Sequence, residues 1–207
     1  MERFKQYLPG IPAACWIQLE MYCQLLREWN SKINLIARTD IDHLEEKHIL
    51  PILPIVTWDL WNPPATVLDV GTGGGIPGIP LAILFPRTQF TLLDSICKKV
   101  NVVQDIVQRM HLNNVKVCNT RLETWHQTYN AIVGRAVTAF DKFVQCTRMH
   151  LKKNNQGIFY WTGGQPTALP STLPIKEICC FDLENFFGAH YCVQKKILHT
   201  RIRLRQS

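Results

Sequence analysis

The sequence has no apolar run long enough to span a membrane; its longest is short and broken by Pro51 and Pro54. It opens Met1-Glu2-Arg3-Phe4-Lys5, without the apolar stretch and small-residue cleavage site of a secretory signal. These gaps argue against a membrane partner and set the expectation of a cytoplasmic protein. Eight cysteines are present, yet no two stand as Cys-x-x-Cys, so zinc-site spacing is missing and no metal is expected. Without a secretory context they are read as reduced thiols that pack as small hydrophobes. No internal repeat or low-complexity segment is found. Charged residues make up only 19% against 46% hydrophobic, which excludes a disordered chain. Acidic residues are absent after Glu184, and the net charge is +7. That balance suits a polyanionic partner such as nucleic acid, although charge alone speaks to association rather than fold.

The 207 residues suffice for one domain with a real core and are too few for two. We expect a single domain over 1–207, with an N-terminal helical cap at 1–60 and an α/β core at 65–207, acting as a monomer. Trp16, Leu19, Cys23, Leu26 and Trp29 recur at three- and four-residue steps, which predicts a helix with one apolar stripe and Pro12 at its first position. A second helix is predicted from about Asp40 to Leu50, stopped by Pro51 and Pro54. From Thr66 the pattern alternates. Strands are predicted at Thr66–Val70, Gln89–Leu93, Val115–Cys118, Ala131–Val133 and Gly157–Trp161. Helices are predicted through Leu81–Phe85, from Ser95 to about His111 with Ser95 as cap, and at Phe140–Leu151. Pro166, Pro170 and Pro174 mark a loop; Ile175–Phe181 and Tyr191–Arg205 then read as two strands without a helix between them. The fold class is therefore α/β: a doubly wound, Rossmann-like sheet, mostly parallel with an antiparallel C-terminal strand, plus N-terminal helices.

The chemistry concentrates in Asp69-Val70-Gly71-Thr72-Gly73-Gly74-Gly75, a glycine loop after a buried strand. Such loops sit at the carboxyl edge of the sheet, where ligands bind. Gly-Lys-Ser/Thr, which a Walker phosphate loop needs, is lacking, since Ile76 and Ile79 follow Gly75 and Gly78. A dinucleotide fingerprint can be drawn through Gly73, Gly75 and Gly78. Against it, Asp69 at the strand end would face a pyrophosphate unfavourably, and Pro77 and Pro80 crowd the helix start. A cofactor with a cationic amino group and no phosphate, such as S-adenosylmethionine, removes that conflict. Asp94 ends the second strand about 20 residues on, near the spacing at which a carboxylate meets ribose hydroxyls.

Leu68-Asp69-Val70-Gly71-Thr72-Gly73-Gly74-Gly75-Ile76-Pro77-Gly78-Ile79-Pro80-Leu81-Ala82 resembles the glucose-inhibited-division-B family, which methylates N7 of a guanine in small-subunit (16S) ribosomal RNA. Leu92-Leu93-Asp94-Ser95 with Lys98 and Lys99, Trp29-Asn30-Ser31-Lys32-Ile33-Asn34-Leu35, Lys47-His48-Ile49-Leu50, Arg121-Leu122-Glu123 and Arg135-Ala136-Val137 also resemble the family's elements. The resemblance implies a class I methyltransferase fold using S-adenosylmethionine, with ribosomal RNA or the small ribosomal subunit as partner. It implies that Gly71, Gly73 and Ile76 contact the methionine part of the cofactor and that Asp94 and Ser95 lie near the ribose. It places Leu122 and Glu123 at the adenine, and Arg135 closing the substrate side. Three positions depart from the family: Pro51-Ile52 replaces Asp-Ser, Gly134 replaces serine, and Trp161-Thr162-Gly163-Gly164 replaces the lysine after the fifth strand.

Guanine N7 carries a lone pair and no proton, so its methylation needs no general base and no catalytic residue is assigned. Positioning is the expected source of rate. Lys195, Lys196, Arg201, Arg203 and Arg205, with Lys98, Lys99, Lys152 and Lys153, are candidate phosphate contacts. Trp29 and Trp161 are candidate stacking partners for a base, though core positions suit such side chains better.

Overall fold

The computed structural model describes residues 1–163, 175–187 and 196–202. The first long element is helix α1 (Ala13–Asn30), with Pro12 immediately before it rather than inside it. Its buried stripe is Trp16, Leu19, Tyr22, Cys23, Leu25 and Leu26. The segment predicted as one helix at 40–50 is instead a 3-10 turn at Ile41–His43 followed by a π-helical turn at Glu45–Ile49. A further 3-10 turn spans Leu53–Thr57 with its proline in the first turn, where a missing N–H costs nothing.

Seven strands follow: β1 (Thr66–Val70), β2 (Gln89–Asp94), β3 (Val115–Asn119), β4 (Ala131–Arg135), β5 (Gly157–Thr162), β6 (Ile175–Asp182) and β7 (Lys196–Ile202). They form one sheet in the order β3-β2-β1-β4-β5-β7-β6. The pairs among β1 to β5 are parallel, while β7 runs antiparallel to both β5 and β6. Helices α2 (Gly78–Leu84), α3 (Cys97–Arg109) and α4 (Phe140–Thr147) provide crossovers. A short helix α5 (Leu183–Phe187) lies between β6 and β7, where the sequence predicted none. Leu183 and Phe187 are buried, and the Phe187 ring meets Phe4 and Tyr7 edge-on. A distant contact therefore stabilises a helix too short to hold by itself.

β1 and β4 are buried except at one end, as a sheet covered on both faces requires. One buried cluster runs continuously from Phe4 through α1, the 3-10 turns, α2 and α3 to Ile197, so the N-terminal helices share the core of the sheet. A second cluster on the opposite face holds Leu68, Ile132, Phe143 and Tyr160. Strand order reverses at β1, between β2 and β4, and there the ends of neighbouring strands open a crevice. Cys15, Cys23, Cys97, Cys118, Cys146 and Cys180 are free thiols. Cys23 is buried, and burial pushes its thiol up to about 12, whereas Cys97, Cys146 and Cys180 are exposed rather than packed inside.

Candidate active site

The glycine loop leaves β1 and is tied to β2 at once: the N–H groups of Gly71 and Thr72 both donate to the Leu93 carbonyl at 2.9 Å. Gly71 has φ +70°, in the left-handed region that favours glycine. A Cβ there would also lie 2.9 Å from Val137 Cγ2, so the backbone runs close beneath that side chain. From the other side α1 braces the loop. The buried Tyr22 hydroxyl donates to the Gly74 carbonyl at 2.8 Å, and Leu26 Cδ1 stands 3.0 Å from where a Gly74 Cβ would be. The N-terminal helix thus supports the loop directly.

Asp69 does not face the crevice. It is fully buried, and its Oδ2 accepts from the Thr72 hydroxyl at 2.6 Å and from the Gly78 N–H at 3.0 Å. It fastens the loop to the start of α2. Oδ1 has no hydrogen-bond partner among the described residues. Burial pushes the carboxyl up to about 7, against the lowering effect of the bonds from Thr72 and Gly78. The expectation that Asp69 would repel a pyrophosphate is therefore not met by its position.

The repulsion comes from other carboxylates. A cleft of about 240 Å³ is lined by Val70, Gly71, Leu93, Asp94, Ser95, Thr120, Arg121, Leu122, Glu123 and Val137. Among the described residues it holds Asp94 and Glu123 against one cation, Arg121. Asp94 is fixed at both oxygens: Oδ2 accepts from the Gly73 N–H at 3.0 Å and Oδ1 from the Ile96 N–H at 2.9 Å. Ser95 makes no capping bond to α3, whose cap is Ile96, and no side chain takes that role; Asp94 binds the N–H of the cap residue instead. Leu122 and Glu123 open a 3-10 turn after β3, and that turn brings them to the cleft. Five of the eight residues singled out from the sequence therefore line one cleft: Gly71, Asp94, Ser95, Leu122 and Glu123. Gly73 stands behind it as a donor to Asp94. Ile76 lies in the core beneath the loop, its N–H bonded to the Thr72 carbonyl.

Arg135 lies on the far side of Val137. It lines a second cavity of about 370 Å³ with Asp40, His48, Ala136, Thr138, Tyr160, Trp161, Thr162 and Gly163. Its guanidinium donates to the carbonyls of His48 at 2.8 Å and Lys47 at 3.2 Å, and lies 2.6 Å from His48 Nδ1. The turn between the two cavities is strained, since Ala136 has φ +52°. The Tyr160 hydroxyl holds it, accepting from the N–H of Val137 and of Thr138 and donating to the Thr138 carbonyl. Sequence reading missed Val137, Tyr160 and Tyr22. Only Val137 carried a signal, as a neighbour of Arg135 in a quoted motif.

Both tryptophans offered as stacking partners are committed to the fold. Trp29 donates from its indole to Asp105 at 2.7 Å, and buried Trp161 donates to the Pro51 carbonyl at 2.9 Å. The departures from the family have local structural partners: Pro51 serves Trp161, and Gly134 leaves room for the Phe143 ring, which a Cβ would strike. Lys152 bonds to Thr66 and Asn130, at the amino edge of the sheet and away from the cleft. β7 begins at the carboxyl edge, with Lys196 beside Thr162, and runs toward the amino edge, which puts Arg201 beyond Thr200 and Ile158. Lys195, Arg203 and Arg205 lie outside the described residues.

Coclaurine N-methyltransferase bound to N-methylheliamine and SAH superposes with a TM-score of 0.50 at 15% identity, covering 87% of this chain and 49% of that one. The precorrin-6y C5,15-methyltransferase of Geobacter metallireducens gives a TM-score of 0.50 at 13% identity over 82% of this chain and 91% of that one. These likenesses show the fold. The ribosomal RNA small subunit methyltransferase G of Flavobacterium johnsoniae is 39% identical, covering 99% of this chain and 100% of that protein. The protein of the same name from Bacteroides thetaiotaomicron is 34% identical over 98% of this chain and 100% of its own length. The family model described as GidB, rRNA small subunit methyltransferase G, matches residues 16–168, and this chain belongs to that family.

Proposed function

We propose that this chain transfers a methyl group from S-adenosylmethionine to N7 of a guanine in small-subunit ribosomal RNA. The observation that carries the reading is Asp94. Each of its oxygens is fixed by one backbone N–H, and each keeps a further lone pair. A carboxylate so held at the end of β2 suits the paired hydroxyls of an adenosine ribose. The donor set fits the rest of that cofactor as well: two carboxylates against one guanidinium disfavour a pyrophosphate and accept a cationic ligand. When bound, S-adenosylmethionine supplies an electrophilic methyl on a sulfonium centre.

The chain's own residues then bind and orient. Asp94 and Ser95 hold the ribose. Leu122 and Glu123 would line the adenine end and the Gly71 backbone the methionine part, with Gly73 holding Asp94 from behind and Ile76 as packing beneath. Val137, held over Gly71 by the Tyr160 hydroxyl, marks the boundary to the substrate side. Arg135 keeps that side in place through the Lys47 and His48 carbonyls. N7 needs no deprotonation, so the site requires alignment rather than a general base. We extend the reading to a cytoplasmic monomer folded as one unit, since loop, aspartates and brace come from one chain and one core. Among the described residues no helix is long and apolar enough to cross a membrane.

Calorimetry with S-adenosylmethionine and with NAD tests the cofactor. The methyl donor should bind and NAD should not; tight NAD binding without binding of the methyl donor overturns the reading. Incubation with labelled S-adenosylmethionine and small-subunit ribosomal RNA should label N7-methylguanine. Label found only in another base would refute the target.

A further inference from the structure

The cavity beyond Val137 has no part in holding the cofactor. It adjoins the cofactor cleft, for Ala136 and Thr138 line it while Val137 between them lines the cleft. It lies at the carboxyl edges of β4 and β5, closed on its outer side by the segment that carries Asp40 and His48. Asp40, His48 and Arg135 on its wall belong to a chain of polar contacts that Lys47 extends from behind. Asp40 Oδ1 accepts from Lys47 Nζ at 2.6 Å, and Asp40 Oδ2 lies 3.3 Å from His48 Nε2. His48 Nδ1 in turn faces Arg135. Because a guanidinium can only donate, Nδ1 accepts, and Nε2 carries the proton that points to Asp40. The Asp40 side chain is 30% exposed, so its carboxylate is held rigidly yet remains open to a ligand.

We infer that this cavity receives the target base, and that the Asp40 carboxylate selects guanine by accepting from N1–H and the 2-amino group. The inference rests on the methyltransferase reading and adds the specificity determinant. A base that is to be modified must leave its stack, and it is then read along its Watson–Crick edge. On guanine that edge presents O6, N1–H and the 2-amino group in a row. A carboxylate on the cavity wall meets the two donors. Adenine offers a lone pair at N1, which a carboxylate repels. N7 lies on another edge of the ring, so recognition at Asp40 leaves it uncovered for methylation. Arg135 does not compete for N7, because its guanidinium is spent on the carbonyls of Lys47 and His48.

The test measures binding of GMP and AMP to the full chain by ligand-observed NMR in the presence of S-adenosylhomocysteine. Wild type should prefer GMP by about 5- to 150-fold, the range of one good bidentate contact. Asp40→Asn should erase the preference while S-adenosylhomocysteine affinity stays within about twofold. Gly163 lines the cavity, and a Cβ there would meet nothing within 4 Å among the described residues. Gly163→Val therefore adds bulk at the cavity wall without a clash among the described residues, and should weaken both nucleotides by about tenfold or more at unchanged S-adenosylhomocysteine affinity. Equal or undetectable binding of the two nucleotides by wild type, or a guanine preference that survives Asp40→Asn, overturns the inference. Should Asp40→Asn fail to fold, Gly163→Val decides: unchanged nucleotide affinity there overturns it equally. Loss of S-adenosylhomocysteine binding in wild type would instead sink the methyltransferase reading itself.

Discussion

Replacing Asp94 with alanine separates two roles that the structure assigns to one carboxylate. In the fold, its two oxygens accept from Gly73 and Ile96 and so join the glycine loop to the start of α3. Hydrogen bonds to a charged acceptor contribute about 1.5–3 kcal/mol each. The cleft is open, so water replaces part of that loss, and we expect Asp94→Ala to destabilise the protein by about 1–3 kcal/mol. In the site, the same residue is to hold the ribose, and its removal should weaken cofactor binding by about 1–3 kcal/mol, roughly 5- to 150-fold in Kd. Asp94→Asn tells the two apart. The amide oxygen satisfies one backbone N–H, but the amide nitrogen turns a donor toward the other. Asp94→Asn should therefore lose less stability than alanine and still bind the cofactor more weakly than wild type. Denaturant unfolding gives the first quantity, and calorimetry with S-adenosylhomocysteine gives the second. Unchanged cofactor affinity in both variants would remove Asp94 from the site and with it the argument for an adenosine ligand.

Gly71→Ala meets a left-handed backbone and Val137 at 2.9 Å together, so it should lower stability by about 1–2 kcal/mol and reduce cofactor affinity; calorimetry on a folded variant checks this. Asp69 titrates near 7 in the fold, and far lower when the chain is unfolded. Between about pH 4 and 7 the unfolded chain gives up a proton that the folded chain keeps, so stability falls as pH rises through that window, by up to about 1.4 kcal/mol per unit. Asp69→Asn should flatten this profile in pH-dependent urea unfolding, and an unchanged slope would contradict the raised carboxyl. Gly134→Ser, which restores the family's residue, should cost about 1–3 kcal/mol by overpacking against Phe143, seen as a lower thermal midpoint. Tyr160→Phe removes the hydroxyl that holds the Val137–Thr138 turn, and should weaken cofactor binding at Val137 as well as stability; calorimetry at unchanged affinity would show the clamp to be dispensable.

The parallel strands were legible because each is a short buried run bounded by turn residues, and the α1 stripe because its period is helical. The 40–50 segment was misread because apolar spacing does not distinguish one α-helix from a 3-10 turn joined to a π-helical turn. Helix α5 escaped because its stability lies in Phe4 and Tyr7, far away in sequence. The glycine loop after β1 could be read from the sequence, but the role of Asp69 could not. Its bonds to Thr72 and Gly78 turn the carboxylate inward, whereas position on the strand alone suggested that it faced the ligand. The repulsion expected of it is supplied by Asp94 and Glu123. Tyr22 and Tyr160 gave no local signal, because a single hydroxyl that reaches a distant backbone leaves no pattern. Five of the named site residues meet in one cleft because each lies at or just after the carboxyl end of a parallel strand, and that topology was itself legible.

The central claim is the reaction, and the most direct measurement is a map of N7-methylguanine in small-subunit ribosomal RNA from cells with and without this protein. One N7-methylguanine should be present with the wild-type chain and absent without it. It should return when wild type is restored and fail to return with Asp94→Ala. An N7-methylguanine profile that does not change when the protein is removed would contradict the account.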